Sequence, residues 1–572
     1  MLTRIKNKLN KVFRNKSQLD GVTTPTSSDS CSLPNWQNYL KDSKLWKQSL
    51  SNAGNGKAVL IATSVGGLSA ATILEGLLGV ALTLRGAKVH FLLCDGILPA
   101  CLHVHMGKVK GSGVISDYKL KKEVCPGCLM RGKSVYKSIG LPVLYYSEFI
   151  SDSKLGELRQ LAQTINKNDI HNYKVRGIAV GEHAMAGTLR FFACGNLPDN
   201  LEAENVLRRY FESALITEAV IQNIQTKYNF ESAVFHHGIY VPQGIIGEVA
   251  RANNVRVSNW QVGYRKKCFI FSHNETYHHT LISEPASSWE NIAWNDQLTE
   301  KTLDYLKSRW YGSNDWIWFH DQPKHVVDDI VKETGLDFSK PVISLLTNVF
   351  WDAQLHFKAN AFKDMLDWLL QTIRYFIDRP DLQLAIRIHP AEVRGAIPSR
   401  QPIVKEITTA YPDLPDNIFI IPPESQISTY VLCEHSDSVI IYGTKTGVEL
   451  TAMGIPVIVA GEAWIRGKGL TNDAVSPENY FALLDKLPVG SRLSDEQRFR
   501  AMKYAFHFFF RRFIPIEFME PCSKNVPYEI KANTLEDMTP GKDKGLDVLC
   551  NGILNATEYI YPAEDFILGE NQ

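Results

Sequence analysis

The chain has 572 residues, of which 44% are hydrophobic and 22% are charged, so it is long and apolar enough to bury more than one core. Its formal net charge of +1 excludes a global field that attracts nucleic acid or an acidic partner. Ten cysteines without a secretory signal pattern at the start favour a reducing compartment and argue against a disulfide framework. We therefore expect a cytoplasmic protein of at least two domains.

Residues 1–16 carry six lysines or arginines and no acid, and their apolar residues recur at helical spacing. This pattern is typical of a basic amphipathic helix that lies on an anionic membrane surface. A disordered basic tail is the alternative, because a helix this short is marginal in water. Residues 17–55, rich in Ser, Thr, Asp and Pro in their first half, are assigned as a linker.

The stretch from Ala58 to Leu84 contains a single charge, Glu75, and is long enough to cross a bilayer. Its pattern nevertheless predicts a strand over 58–63, a turn, a buried helix over 70–84 and then a strand over 88–93. This is the first βαβ unit of a Rossmann-like domain, to which we assign residues 56–283.

Four cysteines of this domain have the spacing of a structural zinc site: Cys94, Cys101, Cys125 and Cys128. His103 and His105 are additional ligand candidates. Buried free thiols are the alternative, because the interval from Cys101 to Cys125 is longer than in compact zinc fingers. A closed four-ligand shell leaves no place for substrate, so we expect such a site to be structural.

Two predicted strands of the first domain end in groups capable of acid or base chemistry. The strand over 175–180 runs into Glu182, and the strand over 234–240 contains His236 and His237. In an open α/β sheet these carboxyl ends face the crevice, so Glu182 is the first candidate for a general base and His237 the second. Helix capping by Glu182 and hydrogen-bonded strand-end imidazoles are the alternative readings.

Residues 284–335 hold five tryptophans and are assigned as a connector between two halves. Aromatic side chains near a cleft can stack on sugar rings, but filling a core is their more frequent use. A second Rossmann-like domain is assigned to residues 336–490, with a first strand over 341–348 and an amphipathic helix over 362–376. Residues 491–572 are assigned as a closing helix, over 495–513, and a tail.

The second domain contains the most informative stretch. A strand over 384–388 ends on His389 and Pro390, and a later strand over 438–442 is followed by a small-residue loop and a short helix. Strand, small-residue loop and helix form the unit that places backbone N–H groups where a phosphate binds. An ordinary βαβ unit with Glu449 as a solvated acid is the alternative reading.

These residues carry a resemblance to a known family. The segments RIHP at 387–390 and TKTGVELTAMGIP at 444–456, with TNVFWD at 347–352 and GKGLT at 467–471, resemble GT-B glycosyltransferases of the capsular polysaccharide biosynthesis type. That group is similar to bacterial Kdo and sialic acid transferases, in which a His-Pro motif and a Ser/Thr motif hold the nucleotide phosphate. The resemblance extends over about residues 57–487.

The resemblance implies a GT-B-like α/β fold with two Rossmann-like domains facing a cleft. It implies a nucleotide-sugar donor, a polysaccharide or lipid-linked glycan acceptor, and catalysis without a bound metal. The donor residues it implies are Asn348, Asp352, Arg387, His389, Thr444, Thr446, Gly447, Glu449 and Lys468. Ile441 stands where many retaining members carry a second glutamate, so the stereochemical outcome is not inherited.

Two further functions share these features. One is a polyol-phosphate transferase of similar fold and phosphate site, and the other is a nonenzymatic assembly or regulatory protein with a degenerate nucleotide fold. Binding of nucleotides distinguishes the last from the two enzymes. The sequence contains no Asp-x-Asp triplet of the kind that metal-dependent transferases use.

Overall fold

The computed structural model describes residues 32–310, 315–316, 323–353, 359–522 and 527–569. Two sheets dominate the architecture, and a two-stranded ribbon accompanies them. The strands are β1 Ala58–Ser64, β2 Lys88–Leu93, β3 Val143–Tyr145, β4 Ser232–His236, β5 Arg256–Val262, β6 Cys268–His273, β7 Val342–Leu346, β8 Gln383–Arg387, β9 Ile418–Ile421, β10 Ser438–Ile441, β11 Val457–Val459, β12 Asn472–Asp473, β13 Ile514–Pro515, β14 Met519–Pro521 and β15 Tyr528–Ile530.

Helices cover both sheets. Those of the first half are α1 Gln37–Leu40, α2 Lys44–Ala53, α3 Ser69–Leu84, α4 Gly113–Ser116, α5 Leu120–Glu123, α6 Cys125–Ile139, α7 Asp152–Thr164, α8 Lys167–Ile170, α9 Val180–Phe192, α10 Leu201–Lys227, α11 Gln243–Ala252, α12 Tyr277–Ser283 and α13 Asp296–Arg309. Those of the second half are α14 Val327–Thr334, α15 Met365–Ile377, α16 Ala391–Arg394, α17 Ile403–Ala410, α18 Thr429–Glu434, α19 Thr446–Ala452, α20 Pro477–Leu484, α21 Asp495–Phe506, α22 Lys544–Asn555 and α23 Ala563–Gly569.

Both sheets have the strand order of a Rossmann fold. The first runs β3-β2-β1-β4-β5-β6, with β13 added beyond β6, and the second runs β9-β8-β7-β10-β11-β12. The second sheet is parallel throughout. In the first sheet, β6 is antiparallel to both of its neighbours, β5 and β13. Each sheet therefore has a switch point, between β1 and β4 or between β7 and β10, where ligands bind in such folds. The predicted fold class, two Rossmann-like domains, is confirmed.

The first βαβ unit shows why an apolar stretch with one acid folds inside a globular domain. Alternate residues of β1 enter different cores, with Val59 on one face of the sheet and Leu60 on the other. The carboxyl group of Glu75 is buried, and it accepts hydrogen bonds from Thr63 and, at 2.9 Å, from Trp260 Nε1. Burial raises the pKa of Glu75 to about 8, so this carboxyl group is neutral at pH 7.

Two terminal segments belong to the first domain, which differs from the predicted boundaries. Trp36 and Trp46 are buried in the core beneath the first sheet, so residues 36–53 pack on the domain and are not linker. After α21, the chain returns from the second domain, β13 pairs with β6, and α22 buries Leu546 and Leu549 in the same core. The closing segment therefore completes the first domain.

The predicted strand over 175–180 is wrong. Val175 and Ile178 exchange backbone hydrogen bonds of 3.0 and 2.8 Å across a tight turn, in which Arg176 and Gly177 have φ of 49° and 85°. Val180 then begins α9. The predicted strand over 234–240 is shorter than expected, because β4 ends at His236.

Two tryptophans of the connector, Trp289 and Trp294, pack in the core. Trp289 is fully buried, and Trp294 packs edge-on against Phe499 and Phe506 of α21, at 5.9 and 5.6 Å between ring centroids. Within the described ranges, the chain has no helix with the length and apolar character needed to span a bilayer. The basic segment 1–16 lies outside the described residues.

Candidate active site

A cavity of about 370 Å³ lies between the two domains, at the carboxyl edge of the second sheet. Three strand ends of that sheet form its floor: Thr347 and Asn348 follow β7, His389 follows β8, and residues 442–446 follow β10. The loops after β7 and β10 mark the switch point of the sheet. Residues from the first domain and the connector form the opposite wall.

His389 has a defined orientation at this floor. Its backbone N–H donates to Thr347 Oγ1 at 3.1 Å, which ties the ends of neighbouring strands β8 and β7 together. Its Nδ1 accepts a 3.0 Å hydrogen bond from the backbone N–H of Ala391. Because Nδ1 is the acceptor, the neutral ring carries its proton on Nε2. Nε2–H is therefore the group through which His389 acts as a donor.

The loop after β10 presents hydroxyl groups to the cavity. Thr444 and Thr446 line it, with their Oγ1 atoms 3.1 Å apart, and the Thr446 N–H donates to Thr444 Oγ1 at 3.3 Å. Asn348 also lines the cavity and fixes the start of this loop, since its Oδ1 accepts from the N–H of Gly443 at 3.3 Å. Hydroxyls and an imidazole N–H can together bind the oxygens of a phosphate.

Gly447 serves packing in this structure. A β-carbon at this position would come within 2.7 Å of Ile441 Cδ1 and 2.8 Å of Ile465 Cγ2. Only glycine allows α19 to pack this closely on β10 and the segment after β11. The residue does not line the cavity, so its predicted N–H contact to phosphate stays a prediction.

Glu449 lies beneath the cavity in a buried ion network. Its Oε1 is 3.0 Å from Arg309 Nε and 3.0 Å from Lys445 Nζ, and its Oε2 accepts from the Tyr430 hydroxyl. Arg309 also pairs with Asp315. The structure thus gives Glu449 partners other than the predicted ribose hydroxyl. The network contains two cations, Arg309 and Lys445, and two carboxylates, Glu449 and Asp315.

The network sets the protonation of its members. Burial favours the neutral form of Glu449, but the charges of Arg309 and Lys445 outweigh it and lower the pKa of this carboxyl group. Burial and the charge of Arg309 lower the pKa of Lys445, against the opposing effect of Glu449. Lys445 also lies over the ring of Tyr264, 4.6 Å from its centroid, at the cavity wall.

Two predicted cations have mainly structural partners. Arg387 lines the cavity, but its Nη1 and Nη2 donate to the carbonyls of Pro422 and Ser425 at 2.6 and 3.0 Å. Lys468 is buried outside the cavity lining, and its Nζ donates to the carbonyls of Ile282 and Glu284 at 3.1 and 2.7 Å. The structure therefore does not bring Lys468 to the predicted phosphate site.

Asp352 faces the cavity from the second half of the chain, and the Tyr240 hydroxyl of the first domain donates to its Oδ1 at 3.1 Å. The same hydroxyl accepts from the backbone N–H of Ala353 at 3.2 Å, so this contact joins the two domains. Burial between the domains raises the pKa of Asp352, with the Tyr240 hydrogen bond opposing the rise. A carboxylate with a raised pKa can accept a proton from an alcohol nucleophile.

The two predicted bases from the first domain do not line the cavity. Glu182 lies in the first turn of α9, so it does not follow a strand as predicted. His237 is buried behind the wall, with its ring centroid 4.9 Å from Tyr240 and 6.1 Å from Tyr277. Burial and the neighbouring His236 hold the pKa of His237 well below its usual range.

The four cysteines of the predicted zinc site are free thiols, as are Cys194, Cys268, Cys433 and Cys550, whereas Cys522 is disulfide-bonded. Burial raises the pKa of Cys94 to about 11 and that of Cys125 to about 12. Across the described part of the chain, no three His, Cys, Asp or Glu side chains are grouped so that they could hold a metal ion. The thiols as placed do not fit a closed zinc shell, and the zinc site stays a prediction.

Sequence reasoning did not assign the ion network to the site. The position of Lys445 between the two predicted threonines of the loop could have indicated its place in the site. No sequence pattern indicates Arg309 or Tyr430, since they come from α13 and α18 and only the fold brings them to Glu449.

Residues 326–489 match the family described as capsule polysaccharide biosynthesis protein. The matched segment lies entirely within the second half of the chain. It contains the whole floor of the cavity, and the match confirms the resemblance that the motifs indicate for this half of the chain.

A comparison with curated proteins gives no match. Among solved structures, two from Thermosulfurimonas dismutans KpsC are similar. The "beta Kdo 2,4 transferase" is 13% identical, covers 48% of this chain and 79% of its own, and gives a TM-score of 0.31. The "beta Kdo 2,7 transferase" is 15% identical, with 56% and 88% covered and a TM-score of 0.32. S. aureus MnaA with UDP is 11% identical, with 78% and 91% covered and a TM-score of 0.25. Similarities of this extent carry no inference about substrate.

Proposed function

We propose that the protein transfers a sugar from a nucleotide-sugar donor to a surface or capsular polysaccharide, or to a glycolipid acceptor, at the cytoplasmic face of a membrane. One observation carries this proposal. In the segment that matches the capsule family, an imidazole, two hydroxyls and an ammonium converge at the switch point of a parallel sheet, and a carboxylate faces the same cavity.

The donor phosphate would bind at this floor. His389 Nε2–H, Thr444 and Thr446 supply neutral donors, and Lys445, which lines the same cavity, supplies positive charge. The leaving nucleotide gains negative charge as the glycosidic bond breaks, so fixed donors and cations favour the transition state. We propose that these side chains, and not a metal ion, stabilise the leaving group.

The acceptor hydroxyl would lose its proton to Asp352. This carboxylate lines the cavity, and its bond to Tyr240 reaches across from the first domain, where the acceptor would approach. A general base needs a pKa closer to neutrality than that of an exposed aspartate, and burial moves Asp352 in that direction. Glu182 and His237 are weaker choices, because neither lines the cavity.

Isothermal titration with CMP, UDP and GDP tests the nucleotide site. The wild type should bind at least one of them, and His389→Ala should weaken that binding by about 1–3 kcal/mol through loss of a charge-assisted hydrogen bond. The matched control is His435→Ala, an exposed imidazole of the same domain outside the cavity. Equal loss in both variants would remove His389 from the site, and absence of binding to all three nucleotides would favour a nonenzymatic protein.

A further inference from the structure

Three cationic side chains converge beside the cavity on the first domain. They come from different elements: Lys108 lies in the loop after β2, Arg131 in α6 and Arg190 in α9. Lys108 and Arg131 are exposed, and Arg190 is half-buried. We call Lys108, Arg131 and Arg190 the cationic rim.

Close packing around two glycines brings these elements together. A β-carbon on Gly67, in the turn after β1, would lie 2.3 Å from His103 Nε2, and one on Gly66 would lie 2.5 Å from the carbonyl oxygen of Cys128 in α6. The loop after β2 and the start of α6 therefore both rest directly on this turn. His103 is in turn 2.9 Å from Lys108 Nζ.

The hydrogen bonds that the structure shows for the three cations of the rim go to neutral groups. The two arginines keep neutral partners: Arg131 Nη1 donates to Ser69 Oγ at 3.1 Å, and Arg190 Nη1 to the Leu102 carbonyl at 2.7 Å.

His105 lies in the same loop as Lys108, and its Nδ1 is buried without a hydrogen-bond partner in the described part of the chain. Three cations whose hydrogen-bond partners are neutral repel one another, and an anionic ligand would relieve that repulsion.

The rim adjoins the side of the cavity where we place the acceptor. The guanidinium of Arg190 lies over the ring of Tyr240, 5.3 Å from its centroid, and the hydroxyl of that ring is bonded to Asp352. Leu102, Ala186 and Tyr240 pack with Ala353 of the second half in one apolar cluster. A ligand held by the rim would therefore reach toward the proposed base.

We propose that the cationic rim is an acceptor subsite and that it binds a phosphate group carried by the acceptor. This proposal rests on the proposed function, because it takes Asp352 as the end of the site where the acceptor reacts. A phosphate suits the rim better than a carboxylate does, since it bears up to two negative charges and offers three or four oxygens to donors from three directions. The phosphate belongs either to a membrane lipid headgroup or to a soluble sugar phosphate.

The test uses the full chain saturated with the nucleotide that it binds, so that the donor site is occupied. Binding of inorganic phosphate is followed by line broadening in ³¹P NMR for the wild type and for the double variant Lys108→Gln/Arg131→Gln. Both residues are exposed, so the variant should fold. Lys137→Gln, an exposed lysine of the same helix α6, is the matched control. In parallel, binding to phosphatidylglycerol vesicles is compared with binding to phosphatidylcholine vesicles.

We expect the double variant to bind inorganic phosphate at least about tenfold more weakly, with nucleotide affinity and the control unchanged. If the double variant also binds phosphatidylglycerol vesicles more weakly than the wild type, the phosphate belongs to a lipid. If its vesicle binding equals that of the wild type, the phosphate belongs to a soluble acceptor. Equal phosphate affinity in wild type and double variant would overturn the subsite. Loss of nucleotide binding in His389→Ala is independent of this outcome, so failure of the rim and failure of the donor site can be told apart.

Discussion

Replacing Glu449 by glutamine separates two roles for this residue. The variant keeps the shape of the side chain but removes the charge that pairs with Arg309 and Lys445 at 3.0 Å each. At that distance each attraction is about 5.5 kcal/mol with an effective dielectric constant of about 20, before the cost of burying the charges. Removing one member of a buried ion pair costs about 3–5 kcal/mol, so Glu449→Gln should lower the free energy of unfolding by an amount in this range.

The same variant should bind nucleotide more tightly. With the carboxylate gone, the ammonium of Lys445 is free to pair with a phosphate, which would replace the lost negative charge. We expect a gain of about tenfold in affinity, or about 1.4 kcal/mol, by isothermal titration. Glu462→Gln is the control, because Glu462 also lines the cavity but pairs with His279 and with neither cation of the network. Weaker nucleotide binding with unchanged stability would refute this reasoning and restore the ribose contact.

Three other predictions follow from the same structure. The pKa of Glu75 in the folded protein, about 8, exceeds its unfolded value, so the wild type should lose stability as pH rises from about 4.5 to 8. In urea titrations at several pH values, Glu75→Gln should lack this loss. The same dependence of the free energy of unfolding on pH in both proteins would contradict the prediction. Asp352→Asn should cut turnover by about 10²-fold or more with nucleotide affinity kept, while Glu182→Gln stays near normal; the opposite pattern would return the base to Glu182. Deleting residues 1–16 should weaken binding to anionic vesicles by about 1 kcal/mol or less for each positive charge removed, without loss of activity on a soluble acceptor. Unchanged vesicle binding would show that the segment is only a tail.

Hydrophobic periodicity was enough to predict the two halves of the fold. The runs over 58–93 and 438–459 place β-branched residues between glycine and proline breaks, and these local signals survive in β1, α3, β2, β10, α19 and β11. The segment 175–180 has the same alternation but no strand partner. Its Arg176 and Gly177 adopt positive φ and close a turn instead. A short run of residues cannot specify whether a neighbouring strand exists to pair with it.

The candidate site was predictable where its residues follow the ends of predicted strands. His389, Thr444 and Thr446 follow strands directly, so a motif reveals them, and all three line the cavity. Arg309 reaches Glu449 only because α13 packs against the second domain, and no pattern along the chain signals that contact. Lys468 shows the converse case. Its sequence context suits a phosphate ligand, but the fold directs its ammonium group to two backbone carbonyls.

A crystal structure of the full chain with its bound nucleotide tests the central claim most directly. The account predicts a phosphate oxygen within hydrogen-bonding distance of His389 Nε2 and of the hydroxyls of Thr444 or Thr446, with Lys445 Nζ turned from Glu449 toward the phosphate. A nucleotide phosphate bound outside the cavity at the ends of β7, β8 and β10 would contradict it.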